Sequence, residues 1–102
     1  MARSAIHPGE HLADALDALG VTPAALARAI RVPSNRVTGI LHGRRAITAD
    51  TALRLGRYFN TSANFWMNLQ QLYELRLAEN EIGDVIKSIP RGKTRAGSAQ
   101  AA

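Results

Sequence analysis

Apolar residues recur at helical spacing along most of this chain, and no stretch alternates between apolar and polar residues as a half-buried strand would. Residues that favour helix starts divide the pattern into five segments. Pro8 and Pro23 suit the first position of a helix, where no backbone donor is needed. Ser34, Thr48 and Ser62 have the hydroxyl side chains that cap helices. The sequence therefore predicts an all-α fold of five helices.

One apolar stripe on each predicted helix is expected to form the core of a single domain. In chain order these stripes comprise Leu12, Leu16 and Leu19; Leu26, Ala27 and Ile30; Val37, Ile40 and Leu41; Ala52, Leu53, Gly56 and Phe59; and Phe65, Trp66, Leu69, Leu72, Tyr73 and Leu77. A chain of 102 residues can bury such a core without disulfide bonds, and it contains no cysteine to form them.

The predicted domain occupies residues 6–80 and follows a flexible N-terminus of residues 1–5. Helical spacing continues through residues 81–90, which predicts a short amphipathic helix that Pro90 ends. Residues 91–102 are small, polar and basic, so we expect a disordered tail there. No segment has the roughly 20 apolar residues that span a bilayer, and a signal-peptide pattern is absent. We therefore expect a cytoplasmic protein without a membrane partner.

Positive charge is concentrated in the middle of the chain. Residues 28–57 contain seven arginines and one acid, Asp50, in a chain of net charge +5. The flanking segments are more acidic. This distribution is expected of a polyanion-binding surface, although a solvated basic face would give the same pattern.

Residues 22–42 have the features of a helix-turn-helix, in which a tight turn joins two short helices. Ala27 is small where the two helices would cross, and Val37 and Ile40 would face inward. The outward face of the second helix then has no large apolar side chain, which suits a helix lying in a DNA major groove. We predict base contacts from Ser34, Asn35, Arg36, Thr38 and Gly39.

Phosphate contacts are predicted on both sides of this recognition helix. Thr22 lies at the N-terminus of the preceding helix, and Arg44 and Arg45 lie in the following loop. Gly39 costs about 1 kcal/mol relative to alanine in a helix interior. Close approach of the DNA to the backbone would explain that glycine.

Residues 7–11 match the His-x-x-Glu-His spacing of an inverted zinc-peptidase motif, which needs both histidines on one face of one helix. Pro8 pushes His7 out of the helical region, whereas His11 lies inside the first helix, so they do not share a face. The sequence also has no Ser-His-Asp arrangement and no glycine-rich phosphate loop. We predict no metal, no cofactor and no enzymatic activity.

Three blocks of the sequence, in order, resemble the HigA/VapI group of antitoxins within the Xre (Cro/C1-type) helix-turn-helix family. They are IHPGEHLADAL, ALARAIRVPSNRVTGILHGRRAITADTALRL and NTSANFWMNLQQLYEL, and the similarity runs from Ile6 to Leu77. The resemblance implies a five-helix, lambda-repressor-like domain that binds a palindromic DNA operator as a homodimer and is associated with the nucleoid. It also implies a cognate ribosome-dependent mRNA-cleaving toxin of the RelE/HigB type. The predicted function is an antitoxin and autorepressor; the alternative is a stand-alone or prophage-derived repressor without a toxin.

Two residues depart from the family pattern. Pro23 stands where the family commonly has a glutamine that bonds the DNA backbone, and Arg31 stands where the turn usually has glycine. If the backbone at Arg31 is left-handed, a side chain there costs about 1 kcal/mol. A phosphate contact by Arg31 would offset that cost.

Two protein-binding surfaces are also predicted. Two recognition helices need a rigid two-fold dimer to meet successive major grooves, and the fifth helix has apolar residues outside its main stripe. The expected dimer interface comprises Trp66, Met67, Tyr73 and Leu75. The expected toxin contact is the acidic stripe of Glu10, Asp14 and Asp17 on the first helix. The alternative toxin contact is the C-terminal segment, with the apolar strip of Ile82, Val85 and Ile86.

Overall fold

A computed structural model describes residues 3–93, and every regular element in that range is an α-helix. The helices are α1 Pro8–Leu19, α2 Pro23–Ile30, α3 Ser34–Leu41, α4 Ala49–Phe59 and α5 Ala63–Ser88. The predicted all-α class with five helices is therefore confirmed. Most of the expected C-terminal tail, residues 94–102, lies outside the described residues, as do residues 1 and 2.

Hydroxyl side chains cap three of the helices, at the predicted Thr48 and Ser62 and also at Thr22. The oxygens of Thr22, Thr48 and Ser62 each accept a hydrogen bond from the backbone N–H three residues later, at 3.1, 3.4 and 3.1 Å. These bonds satisfy donors that the first turn of a helix leaves without a backbone partner. The starts of α2, α4 and α5 are thus fixed by local sequence.

The predicted cap at Ser34 is wrong. Ser34 is the first helical residue of α3, and Pro33 occupies the N-cap position without a side-chain hydrogen bond. Proline has φ fixed near −65°, and Pro33 lies at φ −62° and ψ 145°, the extended geometry that precedes a helix. Helix α3 therefore starts from a restrained backbone without a side-chain acceptor, and the Arg36 N–H donates to the Pro33 carbonyl at 3.0 Å.

The helices enclose one core, to which each of them contributes. Its buried apolar residues are Leu12, Leu16, Leu26, Ala27, Ile30, Val37, Ile40, Ile47, Ala52, Leu55 and Trp66. Helices α1 and α2 pack against α3, and α5 packs across α4 and α1. Helix α3 is therefore held from two sides.

Five residues of the predicted stripes are exposed. Leu53 keeps 66% of its surface, and Leu19, Phe65, Leu72 and Leu77 also belong to the exposed apolar residues. Helical spacing alone predicts an apolar arc around each helix that is wider than the surface its neighbouring helices cover. In α5, Trp66 and Gln70 are the buried residues, so its second half extends beyond the core.

The segment expected over residues 81–90 continues α5 as far as Ser88. A non-helical backbone at Ile82, with φ −122° and ψ 17°, separates it from the first part of the helix. Asn80 also exchanges two hydrogen bonds with the Arg3 backbone, at 2.6 and 3.1 Å. The backbone at Arg3 thus lies against α5 just before the kink.

Gly9 permits the close contact between α1 and α3. A Cβ atom at Gly9 would collide with the carbonyl oxygen of Ile40, whereas one at Gly83 would meet nothing within 4 Å. We expect Gly9→Ala to lower the free energy of unfolding by about 1–3 kcal/mol, as overpacking does. Urea denaturation measures the change.

Gly83→Ala is the matched control, because it adds the same methyl group to an open position of a helix. It should raise stability by about 0.5–1 kcal/mol. Equal stabilities of the two variants would contradict the close contact at Gly9.

Candidate nucleic-acid interface

Helices α2 and α3 form the predicted helix-turn-helix. Arg31 ends α2 in the left-handed region, with φ 62° and ψ 49°, as the position of the usual glycine suggested. The turn is closed by the Val32 N–H, which donates to the Ala27 carbonyl at 3.0 Å. Buried Val37 and Ile40 then fix which face of α3 points outward.

The structure places the five predicted base-contacting residues along one side of α3. Ser34 and Asn35 are exposed at its N-terminal end, while Arg36, Thr38 and Gly39 are half-buried. Within this group the Thr38 hydroxyl donates to the Ser34 carbonyl at 3.3 Å. Asn35 is therefore the most accessible amide or guanidinium group at the helix start.

Arg36 is held by an acid from the next helix. Its Nη1 donates to Oδ1 of Asp50 at 3.0 Å, and Nε of Arg54 donates to the same oxygen at 2.7 Å. The hydrogen bond from Arg54 holds the pKa of the Asp50 carboxyl below its usual value, and the charge of Arg36 acts in the same direction. The sequence identified Asp50 only as the one acid among residues 28–57, and its pairing with Arg36 and Arg54 was missed.

Arg54 joins α4 to the turn of the helix-turn-helix. Its Nη1 donates to the Ile30 carbonyl at 2.7 Å, at the point where α2 ends. Spacing along the sequence gave no signal for this contact, because the two residues are 24 positions apart. The arginine-rich window thus contains side chains that brace the motif as well as exposed ones.

The loop after α3 positions Arg44 and Arg45. Both of their N–H groups donate to the Gly39 carbonyl, at 2.9 and 3.1 Å. A Cβ atom at Gly39 would lie 3.3 Å from Cβ of Arg45, so the loop already packs over this glycine. Packing against Arg45 therefore also favours a small residue at position 39, beside the predicted approach of DNA.

A buried glutamine fixes the far end of the same loop. Oε1 of Gln70 accepts from the Ile47 N–H at 2.9 Å, and its Nε2 donates to Glu74 at 2.8 Å. Ile47 is buried although it lies between helices. Sequence reasoning missed both residues, because helical periodicity identifies only apolar residues within helices, whereas Ile47 lies in a loop and Gln70 is polar.

His7 caps α1 and does not have the position that the zinc motif needs. Its Nδ1 accepts from the Gly9 N–H at 2.9 Å, and its ring makes an edge contact with Tyr73, with ring centroids 4.8 Å apart. His11, by contrast, is exposed on α1. Among residues 3–93 no group of three or more His, Cys, Asp or Glu side chains could hold a metal ion.

The other predicted contact residues differ in accessibility. Thr22, Arg31, Arg44 and Arg45 are exposed around the helix-turn-helix, and Glu10, Asp14 and Asp17 are exposed on α1. On α5, Leu75 is 61% exposed and Met67 and Tyr73 are half-buried. Trp66 is only 2% exposed and donates to the Thr61 hydroxyl at 3.0 Å, so it has little surface left for a partner.

No helix within residues 3–93 is both long enough and apolar enough to cross a membrane. The longest, α5, is uncharged over residues 63–73, and its charged residues lie between Glu74 and Lys87.

Known proteins share this architecture. The helix-turn-helix family matches residues 12–66. Virulence-associated protein I of Dichelobacter nodosus is 45% identical over 87 residues, which cover 84% of this chain and 81% of that protein.

Two solved structures are also similar. An addiction module antidote protein of the HigA family from Coxiella burnetii superimposes with a TM-score of 0.85 and 44% identity, covering 88% of this chain and 100% of the other. The Pseudomonas aeruginosa antitoxin HigA, solved with the higBA promoter, gives a TM-score of 0.80 and 49% identity, covering 85% and 97%.

The cap formed by His7 should make stability depend on pH. Burial lowers the pKa of His7, and a contact with the Arg45 backbone and the charge of Glu10 act in the opposite direction. The unfolded chain then takes up a proton first, so stability present above pH 6.5, the ordinary histidine value, is lost as the pH falls through the lowered pKa. We expect the melting temperature of the wild type to decrease over this interval.

His7→Asn should reduce that decrease, because asparagine accepts the same capping bond and does not titrate. His11→Asn, at an exposed position of α1, is the matched control and should keep the wild-type pH dependence. A His7→Asn variant that loses stability as steeply as the wild type would show that another group is responsible.

Proposed function

Because this chain belongs to the helix-turn-helix family, and within it to the HigA-type antitoxins, we propose that it binds a palindromic operator as a homodimer and represses its own transcription. Members of this family are DNA-binding regulators, so the chain is not an enzyme. The observation that carries the proposal is the exposed polar N-terminus of α3. The buried side of the helix-turn-helix fixes its orientation, and exposed arginines flank it. The solved complex of the similar P. aeruginosa antitoxin HigA with the higBA promoter supports it.

In this proposal, α3 enters the major groove with its N-terminal residues facing base edges. Asparagine and arginine can each make two hydrogen bonds to one base, which distinguishes base pairs there. The exposed Asn35 and the outward part of Arg36 are the groups placed to do so. Ser34, Thr38 and Gly39 line the same side and complete the proposed contact surface.

Phosphate contacts are proposed for four residues around the groove. The oxygen of Thr22 accepts the Ala25 N–H, so the hydroxyl hydrogen of Thr22 remains able to donate to a phosphate. That hydroxyl would replace the DNA-backbone contact that the family's glutamine commonly makes and that Pro23, which has no donor, cannot make. Arg31, Arg44 and Arg45 are exposed cations that would set the register on the DNA backbone.

The dimer interface is proposed on the exposed apolar side of α5. Leu75, Leu72 and Phe65 are exposed on that side. Met67 and Tyr73 flank the buried face of α5 and keep part of their surface accessible. Trp66 supports this surface from beneath, since its ring is buried in the same subunit. A rigid α5 interface would hold two recognition helices about 34 Å apart, one helical turn of DNA.

Replacing Asn35 and Arg36 together with alanine should abolish operator binding, because both side chains lie on the outward side of α3. Helicity should be unchanged, and the melting temperature should change little because an exposed ion pair contributes about 0.2–1 kcal/mol. Fluorescence anisotropy with the DNA upstream of the chain's own gene measures binding. The wild type should saturate at two chains per operator.

Arg44→Ala is the matched control for a backbone contact. It should weaken binding to all DNA sequences alike and lower the salt dependence by about one ion. Wild-type operator affinity in the double variant would rule out α3 as the recognition helix.

We further propose that the chain neutralises a ribosome-dependent mRNA-cleaving toxin of the RelE/HigB type. Membership of the HigA group supports a toxin partner, and an RNA-binding toxin would present a basic surface to acids. Glu10, Asp14 and Asp17 form an exposed acidic stripe on α1, whose start is fixed by the His7 cap and the contact of Gly9 with α3. Binding to this preformed helix requires no ordering of the chain.

Charge reversal by Asp14→Lys with Asp17→Lys should weaken toxin binding and leave operator affinity unchanged or slightly higher. Co-purification with the product of the adjacent gene, followed by titration calorimetry, measures the effect. Truncation after Asn80 is the companion variant, and it should weaken toxin binding less.

If the truncation weakens toxin binding more than the charge reversal does, the toxin binds the C-terminal segment that carries Ile82, Val85 and Ile86. If the adjacent gene product does not bind the wild type at all, the alternative of a stand-alone or prophage-derived repressor is favoured.

A further inference from the structure

Asp50 is the one acid among residues 28–57, and it lies beside the recognition helix. A carboxylate near DNA repels phosphates, so its position there opposes binding. Exposed ion pairs also contribute little to stability. Asp50 also suits the first turn of α4, where an acid is favourable to the helix dipole, but that position does not require a contact with Arg36. The contact with Arg36 suggests an additional role in the selection of the DNA sequence.

The carboxylate belongs to a chain of contacts that begins in the turn. The Ile30 carbonyl accepts from Arg54 Nη1 at 2.7 Å, and Arg54 Nε donates to Asp50 Oδ1 at 2.7 Å. The same Oδ1 accepts from Arg36 Nη1 at 3.0 Å. The end of α2 thus fixes Arg54, Arg54 fixes Asp50, and Asp50 fixes the guanidinium of Arg36.

This arrangement leaves most of the Arg36 guanidinium available. The contact with Asp50 uses Nη1, and a guanidinium has five N–H donors in a planar fork. A fork held by one corner presents its remaining donors in a defined direction and loses less side-chain entropy on binding. Two acceptors side by side in the major groove, O6 and N7, are the signature of guanine.

We propose that Asp50 is a specificity-determining positioning residue, which orients Arg36 toward one guanine in each operator half-site. The inference rests on the proposed DNA-binding function and deepens it. Asp50 itself contacts no base; it acts through Arg36, and Arg54 supports it from the turn.

The test compares operator variants in which each base pair of the half-sites is substituted in turn, at one fixed salt concentration. For the wild type, one guanine position per half-site should show a large loss of affinity. Asp50→Asn, which keeps the size of the side chain and removes its charge, should reduce that loss by about tenfold. Its affinity for unrelated DNA should stay equal or increase.

Asp84→Asn is the matched control, since it removes the same charge from an exposed position near the end of α5. It should keep the discrimination of the wild type. Arg54→Gln breaks the chain of contacts one step earlier and should resemble Asp50→Asn, so the test holds even if one variant folds poorly.

The double variant Asp50→Asn with Arg36→Ala separates positioning from a general structural role. It should discriminate no less at the guanine position than Arg36→Ala alone, since Asp50 has no other way to act on it. Full discrimination by Asp50→Asn, or a further loss in the double variant, would overturn the inference while leaving the proposed function intact. A wild type that prefers no DNA sequence would overturn the proposed function and this inference together.

Discussion

The burial of one side of α3 is the constraint on which the rest of this structure depends. A helix of eight residues is too short to be stable alone in water, so α3 exists only because Val37 and Ile40 are covered. Helix α1 covers them from one side, and the absence of a side chain at Gly9 lets it approach the Ile40 carbonyl. The face that remains outward is therefore determined by packing, and its polar residues contribute little to holding it in place.

Charge in the middle of the chain has two separate uses. The Arg54 guanidinium donates to the Ile30 carbonyl and to Asp50, and Arg36 donates to the same carboxylate. Arg44 and Arg45 instead extend from a loop whose backbone is hydrogen-bonded at both ends. A count of arginines therefore overstates the charge offered to a polyanion, and the structure separates bracing side chains from accessible ones.

Features set by neighbouring residues could be predicted from the sequence, and features set by distant contacts could not. Thr22, Thr48 and Ser62 cap helices through bonds that span three residues, so their roles are visible in a short stretch of sequence. The order of the helices and the outward face of α3 follow from the same local rules. Leu53 was assigned to the core because spacing gives the width of a stripe but does not say how much of it a neighbour covers. The hydrogen bonds between Gln70 and Ile47 and between Arg54 and Ile30 join residues 23 and 24 positions apart. Local sequence patterns do not predict contacts at that separation.

The bond between Gln70 and Ile47 links two parts of the proposed DNA complex. Helix α5 carries the apolar side assigned to the dimer, and through Gln70 it also holds the loop of Arg44 and Arg45. The dimer axis and the phosphate contacts would then belong to one rigid body with no flexible joint between them. Such a protein measures the distance between half-sites as well as their sequence. A single base pair inserted at the centre of the operator would rotate one half-site away from its loop, and the protein could not adapt by bending there.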